Sequence, residues 1–262
     1  ERLWTKEEAE KILAACRGKT GTVEEKSKRT HQAAPQLFDL TSLQREANGR
    51  FGFSAKTTLS IAQALYEKHK VLTYPRTDAR ALPEDYIPVV NQTISSLTGL
   101  DDYRLYGDKI LQHSWVVPDK RIFNNAGISD HFAIIPTGQL PKTLSEAEQK
   151  IYDLVVRRFL AVLYPPCEYE QTEVTVRIGS ERFTARANVV TQTGWKTAYE
   201  GQSGSWEEDE STEAAESSAD SQKLLSLKEG DVLKGVVLAM TEGKTKPPAP
   251  FNEASLLSAM EN

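Results

Sequence analysis

Val174-Thr175-Val176-Arg177-Ile178-Gly179-Ser180-Glu181-Arg182-Phe183-Thr184-Ala185-Arg186-Ala187 is where the chain changes its period. Val174, Val176 and Ile178 alternate with polar residues, Gly179-Ser180 has the composition of a two-residue hairpin turn, and Phe183, Ala185 and Ala187 resume the alternation. A period of two marks strands with one buried face. Upstream of Pro165-Pro166 the apolar residues recur instead at spacings of three and four, the mark of helices with one buried stripe. A helical block followed by alternating strands reads as α+β.

Working upstream, Ser145-Glu146-Ala147-Glu148 is a capping box for a helix whose stripe is Leu154, Val155, Phe159 and Val162. Ser54 caps a helix carrying Leu59, Ala62, Leu65, Tyr66 and His69, ending near Lys70. Thr41 and Gln44 form a capping box for a short helix that Asn48-Gly49 would stop. Thr5-Lys6-Glu7-Glu8 opens a first helix running to Cys16. From Gly21 to Arg29 the chain reads as a charged edge strand or arm, with Lys26, Lys28 and Arg29 on a solvated edge in preference to phosphate contacts. After Pro83 a helix over Glu84 to Leu97 must start late or kink at Pro88, and Gly99 to Ser114 has no clear period. Downstream, Leu233, Val236, Val237, Leu238 and Met240 return to strand texture, and Lys246 to Phe251 is a stiff, proline-rich approach to a last helix. The organisation expected is a helical domain inserted into a β-rich one. Residues 1–40 begin the β-rich domain, 41–165 are helical, 166–250 complete the β-rich part with a flexible acidic insert at 201–222, and 251–262 start a helix of a following domain.

The 262 residues, 39% of them hydrophobic, suffice for one large domain or two ordinary ones. No apolar run approaches the roughly 20 residues that span a bilayer, and the start of the chain lacks the pattern of a secretory signal. Cys16 and Cys167 are far apart with no His/Cys cluster, so neither a disulfide framework nor a zinc site is indicated and a reducing cytoplasm fits. The absence of an initiating Met and the helical texture of the last residues lead us to expect a piece of a longer protein. A net charge of −5 argues against a nucleic-acid partner until its distribution is considered. Seven acidic residues and no Lys or Arg lie between Gly201 and Gln222; without those seven the balance is +2, which permits DNA binding.

The residues with the most chemistry are Val71-Leu72-Thr73-Tyr74-Pro75-Arg76-Thr77-Asp78. Pro75 fixes its own φ and pushes Tyr74 toward extended geometry. In extended chain Tyr74 and Arg76 share a face, which sets a potential oxygen nucleophile beside a cation shaped for phosphate. By spacing alone an ordinary half-buried Tyr and a surface Arg remain the commoner reading. Ser129-Asp130-His131 precedes the apolar run from Phe132 to Ile135, where a lone His is usually structural.

Four stretches together carry a resemblance. Asp39-Leu40-Thr41-Ser42-Leu43-Gln44-Arg45-Glu46-Ala47, Leu72 to Asp78, Ser129 to Thr137, and Lys246-Pro247-Pro248-Ala249-Pro250-Phe251-Asn252-Glu253-Ala254-Ser255-Leu256 resemble, in this order, motifs of type IA DNA topoisomerases, and within them of bacterial topoisomerase III. The resemblance implies a central gate fragment. In it Tyr74 attacks a single-strand phosphodiester to give a 5′-phosphotyrosyl link and a free 3′-hydroxyl, and strand passage and religation follow without ATP. Arg76 would hold the scissile phosphate and His131 would assist beside it. Thr77, Asp78, Arg80, Ser129 and Arg45 would support the site or contact DNA. Phe132 departs from the family, which often has His or Glu there.

The resemblance further implies Mg²⁺ in the full-length enzyme, with its ligands in a domain preceding this chain and no metal site within it. The implied partners are single-stranded DNA and the rest of the topoisomerase polypeptide, with no membrane, in a monomeric, cytoplasmic, nucleoid-associated enzyme; the fragment alone would cleave poorly. Two other readings are kept for comparison. In one the chain is a non-catalytic single-stranded DNA-binding module whose Tyr74 stacks on a base. In the other it is a tyrosine recombinase, which would place its Arg and His residues ahead of a C-terminal tyrosine, unlike the order here.

Overall fold

The computed structural model describes residues 3–199, 227–245 and 247–261. The acidic insert expected at 201–222 and Lys246 of the last motif lie outside them. Helices and an antiparallel sheet make up the chain, which divides into two compact units. One contains residues 3–31, 168–192 and the described residues from 227 to 249; the other contains 32–167, 193–199 and 250–261.

In the first unit Thr5 caps α1 (Lys6–Cys16), and β1 (Gly21–Gln32) joins β2 (Cys167–Ile178), β3 (Glu181–Gln192) and the two-residue β4 (Val232–Leu233) in a sheet of order β3-β2-β1-β4. The hairpin is registered as its alternation requires, Val176 opposite Phe183 and Ile178 opposite Glu181, with Gly179 at φ 64° in the turn. β1 is not a simple edge. β2 lies on one side of it, while on the other β4 covers only Gly21 and Thr22, so Lys26 to Arg29 stay exposed on a partly open margin. Strand texture at Val236 to Met240 does not become strand: Val237 is 90% exposed. Cys16 and Cys167 are both free and buried.

The second unit is built from α2 (Leu40–Phe51), α3 (Ala55–Glu67), α4 (Ile87–Leu97), α5 (Asp101–Gln112), α6 (Glu146–Ala161) and α7 (Glu253–Glu261). α2, α3 and α6 pack on one another, and α7 lies on α2, with its Glu253 accepting the N–H of Ala55 at the start of α3 at 2.6 Å. The cap of α2 is Asp39 with Ser42, not Thr41 with Gln44, and the helix runs through Asn48-Gly49 to a left-handed Gly52 (φ 68°), whose N–H bonds to Asn48 O. Asp39 outcompetes Thr41 because its carboxylate, two residues earlier, accepts from the Ser42 N–H at 2.7 Å while its backbone N–H reaches the Ser42 hydroxyl at 3.2 Å.

Glu148 completes the capping box of α6, and the bonds from the Ser145 N–H and hydroxyl hold its carboxyl well below the usual range, at about 2. The same Glu148 bonds His69 at 3.0 Å, tying the exit of α3 to the start of α6. Gly194, at φ 51°, turns the chain where the Pro166 carbonyl occupies the place a Cβ would take.

α5 ends in a Schellman turn: Trp115 N–H bonds Ile110 O at 3.1 Å and Ser114 N–H bonds Leu111 O at 3.2 Å, with Ser114 left-handed at φ 53°. A Cβ is strained there. Ser114→Gly is expected to raise unfolding stability by about 0.5–1 kcal/mol, read as a higher urea midpoint at unchanged slope; a lower midpoint would show that the serine side chain contributes more than its backbone strain costs.

Candidate active site

α3 delivers the chain into an extended segment, Val71 to Leu82, that pairs one residue at a time with its neighbours. Leu72 bridges Pro136 and Leu82 bridges Phe123, while the partner segment is itself bridged through Phe38 and Ile134. Two threonines staple the segment to residues 131–137. Thr73 N–H donates to Ile135 O at 3.0 Å, its hydroxyl donates to Ala133 O at 3.0 Å, and it accepts from Ile135 N–H at 2.9 Å. The Thr77 hydroxyl donates to His131 O at 2.9 Å and accepts from Ala79 N–H at 3.1 Å. These bonds fix the backbone on both sides of Tyr74-Pro75-Arg76. Pro75 is buried, Tyr74 half-buried and Arg76 exposed, so the two threonines anchor the segment while Arg76 is offered outward.

Tyr74 meets two rings. His131 lies with its ring centroid 4.2 Å away, tilted by 41°, and Tyr66 of α3 packs edge-on at 5.5 Å. Arg76 reaches the same helix, since Gln63 and Tyr66, three residues apart, share one face of α3. With its amide oxygen toward the guanidinium, Gln63 accepts from Arg76 Nη2 at 3.0 Å and Nε at 3.1 Å. Lys70, at φ 59° where the chain leaves α3, carries its ammonium 5.5 Å from the Tyr66 ring centre. Phenol, imidazole and guanidinium are thus gathered beside one helical face.

A family model described as DNA topoisomerase matches residues 1–262 of the chain. The chain belongs to the type IA DNA topoisomerase family. DNA topoisomerase 3 of Bacillus licheniformis is 45% identical over 254 residues, 96% of this chain and 33% of the relative. DNA topoisomerase 3 of Bacillus subtilis strain 168 is 44% identical over 264 residues, covering all of this chain and 35% of the relative. The structure of full-length topoisomerase I from Thermotoga maritima matches all of this chain and 40% of its own with a TM-score of 0.65 at 24% identity, a likeness of fold. This type IA topoisomerase chain therefore spans about a third of the length of the curated relatives it matches.

Within the topoisomerase chain the other residues singled out in the sequence fall into two groups around the Tyr74 segment. Asp78 accepts from the Ser129 hydroxyl at 3.0 Å on an exposed rim. Arg80 Nε donates to Asp39 at 2.7 Å, and Leu40 N–H donates to Thr77 O at 2.9 Å, so the start of α2 is clamped to the same segment. Arg45 is half-buried on α2, six residues beyond that clamp. Phe132 packs its ring 4.8 Å from Tyr86.

Sequence reading passed over Gln63 and Thr73. The signal available for Gln63 was positional: it shares the helical face of Tyr66, a residue read only as part of an apolar stripe. Among the described residues no three His, Cys, Asp or Glu side chains gather around a point that could hold a metal ion.

Proposed function

We propose that this chain supplies the nucleophile of a type IA topoisomerase that cuts and rejoins one DNA strand. The observation that carries the reading is the gathering of Tyr74, Arg76 and His131 within a chain of this family. Tyr74 Oη attacks the phosphorus, the P–O3′ bond breaks, and the product is a 5′-phosphotyrosyl ester with a free 3′-hydroxyl. The phenol loses its proton and the leaving 3′-oxygen gains one, so the exchange is balanced. One phosphate ester replaces another, which is why religation needs no energy source. Arg76 supplies donors to the charged phosphoryl oxygens as the transition state forms. His131 assists proton movement at the phosphate, a role supported by its packing on the Tyr74 ring.

Strand passage between cutting and rejoining would change linking number, giving relaxation of negative supercoils and decatenation. The substrate is single-stranded DNA, the working enzyme is a monomer of the longer polypeptide using Mg²⁺, and the setting is the cytoplasm at the nucleoid. The β-rich unit is read as the hinge and the helical unit as the domain that carries the tyrosine.

Since the chain spans about a third of its relatives, we expect little product when it is mixed alone with end-labelled single-stranded oligonucleotide and Mg²⁺. Denaturing electrophoresis reads the covalent adduct, and abundant adduct would show that the chain is self-sufficient. A non-catalytic DNA-binding module, with Tyr74 stacked on a base, is the competing reading. Tyr74→Phe separates the two, because a stacking module keeps its function with Phe.

A further inference from the structure

We propose that Gln63 is the positioning residue of Arg76, holding the guanidinium so that a fixed edge faces the scissile phosphate; this rests on the proposed cleavage reaction. A guanidinium has five N–H donors in one plane. Gln63 Oε1 takes the Nε edge, accepting from Nε at 3.1 Å and from Nη2 at 3.0 Å. The amide oxygen must face the guanidinium, because the reverse orientation sets the amide NH₂ against donors. What remains is the Nη1 side of the fork with the second Nη2 proton, a pair of parallel donors matched to two phosphoryl oxygens.

Two features make Gln63 suited to the task. Arg76 is exposed on a non-helical segment and by itself has a long, free side chain, whereas Gln63 stands on a thirteen-residue helix packed against α2 and α6. A side chain fixed by a rigid element orients one that is not. Gln63 is also neutral. It accepts two hydrogen bonds without cancelling the positive charge, leaving that charge for the phosphate, as a carboxylate in its place would not. Tyr66, one turn along the same face, packs on Tyr74. A single helical face therefore contacts both the nucleophile and the cation, adding to the hold of the stapled segment that carries them.

The test uses the full-length polypeptide carrying this chain and single-turnover cleavage of an end-labelled oligonucleotide. Gln63→Leu keeps the size and removes the acceptor, and is expected to slow cleavage by about 10- to 100-fold with little change in DNA affinity. Gln63→Glu keeps both hydrogen bonds and the fold but pairs the charge, and is expected to slow cleavage at least as much and to weaken DNA binding. Combined with Arg76→Ala, neither change should slow cleavage further, because Gln63 acts only through Arg76.

Cleavage by both single variants within about threefold of wild type, or a full additional loss in the Arg76→Ala background, would overturn the inference. If Arg76→Ala itself leaves cleavage intact, the proposed reaction fails instead. Gln63→Glu keeps the test open should Gln63→Leu fold poorly, as thermal melting would reveal.

Discussion

Tyr74→Phe in the full-length polypeptide is expected to abolish covalent adduct and relaxation, a loss of more than about a thousandfold, while DNA binding stays near wild type. The substitution removes one oxygen and leaves the ring. Its packing against His131 and Tyr66 is of ring faces and edges, so Phe fills the same space and the local fold is retained. The stapling of the segment by Thr73 and Thr77 does not use the phenol either. The loss therefore reports on the nucleophile alone. Electrophoretic adduct assays and supercoil relaxation read the chemistry, and a mobility-shift assay reads the binding. Substantial relaxation by the Phe variant would refute the assignment and favour the stacking module, for which Phe serves as well as Tyr.

The largest stability effect is expected at Glu46. Its side chain, 3% exposed, bonds Arg158 and lies 2.9 Å from Arg50 Nη2. Arg158, also buried, donates through Nε to the Tyr199 hydroxyl at 3.0 Å and through Nη1 to Gln36 O at 3.0 Å, and its guanidinium sits 4.1 Å above the Phe38 ring. Burial pushes the Tyr199 phenol up, keeping it a neutral hydroxyl in this cluster. One carboxylate thus balances two guanidinium groups at the junction of α2, α6 and the turn at Gly194 to Tyr199.

Glu46→Ala leaves both cations without it. Breaking a buried pair in this way costs about 3–5 kcal/mol, which lowers the melting midpoint by on the order of 10 °C for a chain of this size. Glu46→Gln, which keeps an acceptor, should cost less. Replacing both Glu46 and Arg158 with apolar residues should recover part of the loss, because no unpaired charge from that pair remains buried. A Glu46→Ala loss below about 1 kcal/mol would mean that water reaches the cluster and screens it.

The periodic elements were legible and the polar details were not, for identifiable reasons. α6 and the β2–β3 hairpin announce themselves because each has a capping box or turn at its end and an unbroken apolar period. α5 was missed because its buried positions are Tyr103, Gly107 and Ile110, an apolar stripe weakened by a glycine in a polar setting, and because Leu100 offers no capping side chain. The apolar residues at Val236 to Met240 looked like strand, yet strand needs a partner, and among the described residues none is paired with them. At the site, Tyr74, Arg76 and His131 could be named from motif types, whereas Gln63 could not. An uncharged amide eleven residues before the tyrosine acquires meaning only when α3 turns it toward Arg76.

The single-residue bridges along Val71 to Leu82 have a consequence for how this region opens. A regular ladder can fray from one end, losing pairs in sequence. Here the amides of Thr73, Ile134, Ile135 and Thr137 are closed by bonds to three different stretches of chain, around Phe38, Val71 to Thr73 and Ile135. Releasing one leaves its neighbours strained against the remaining two, so hydrogen exchange at these four amides should share one opening free energy. The placement of Tyr74 belongs to that cooperative unit, and it persists or vanishes as a whole.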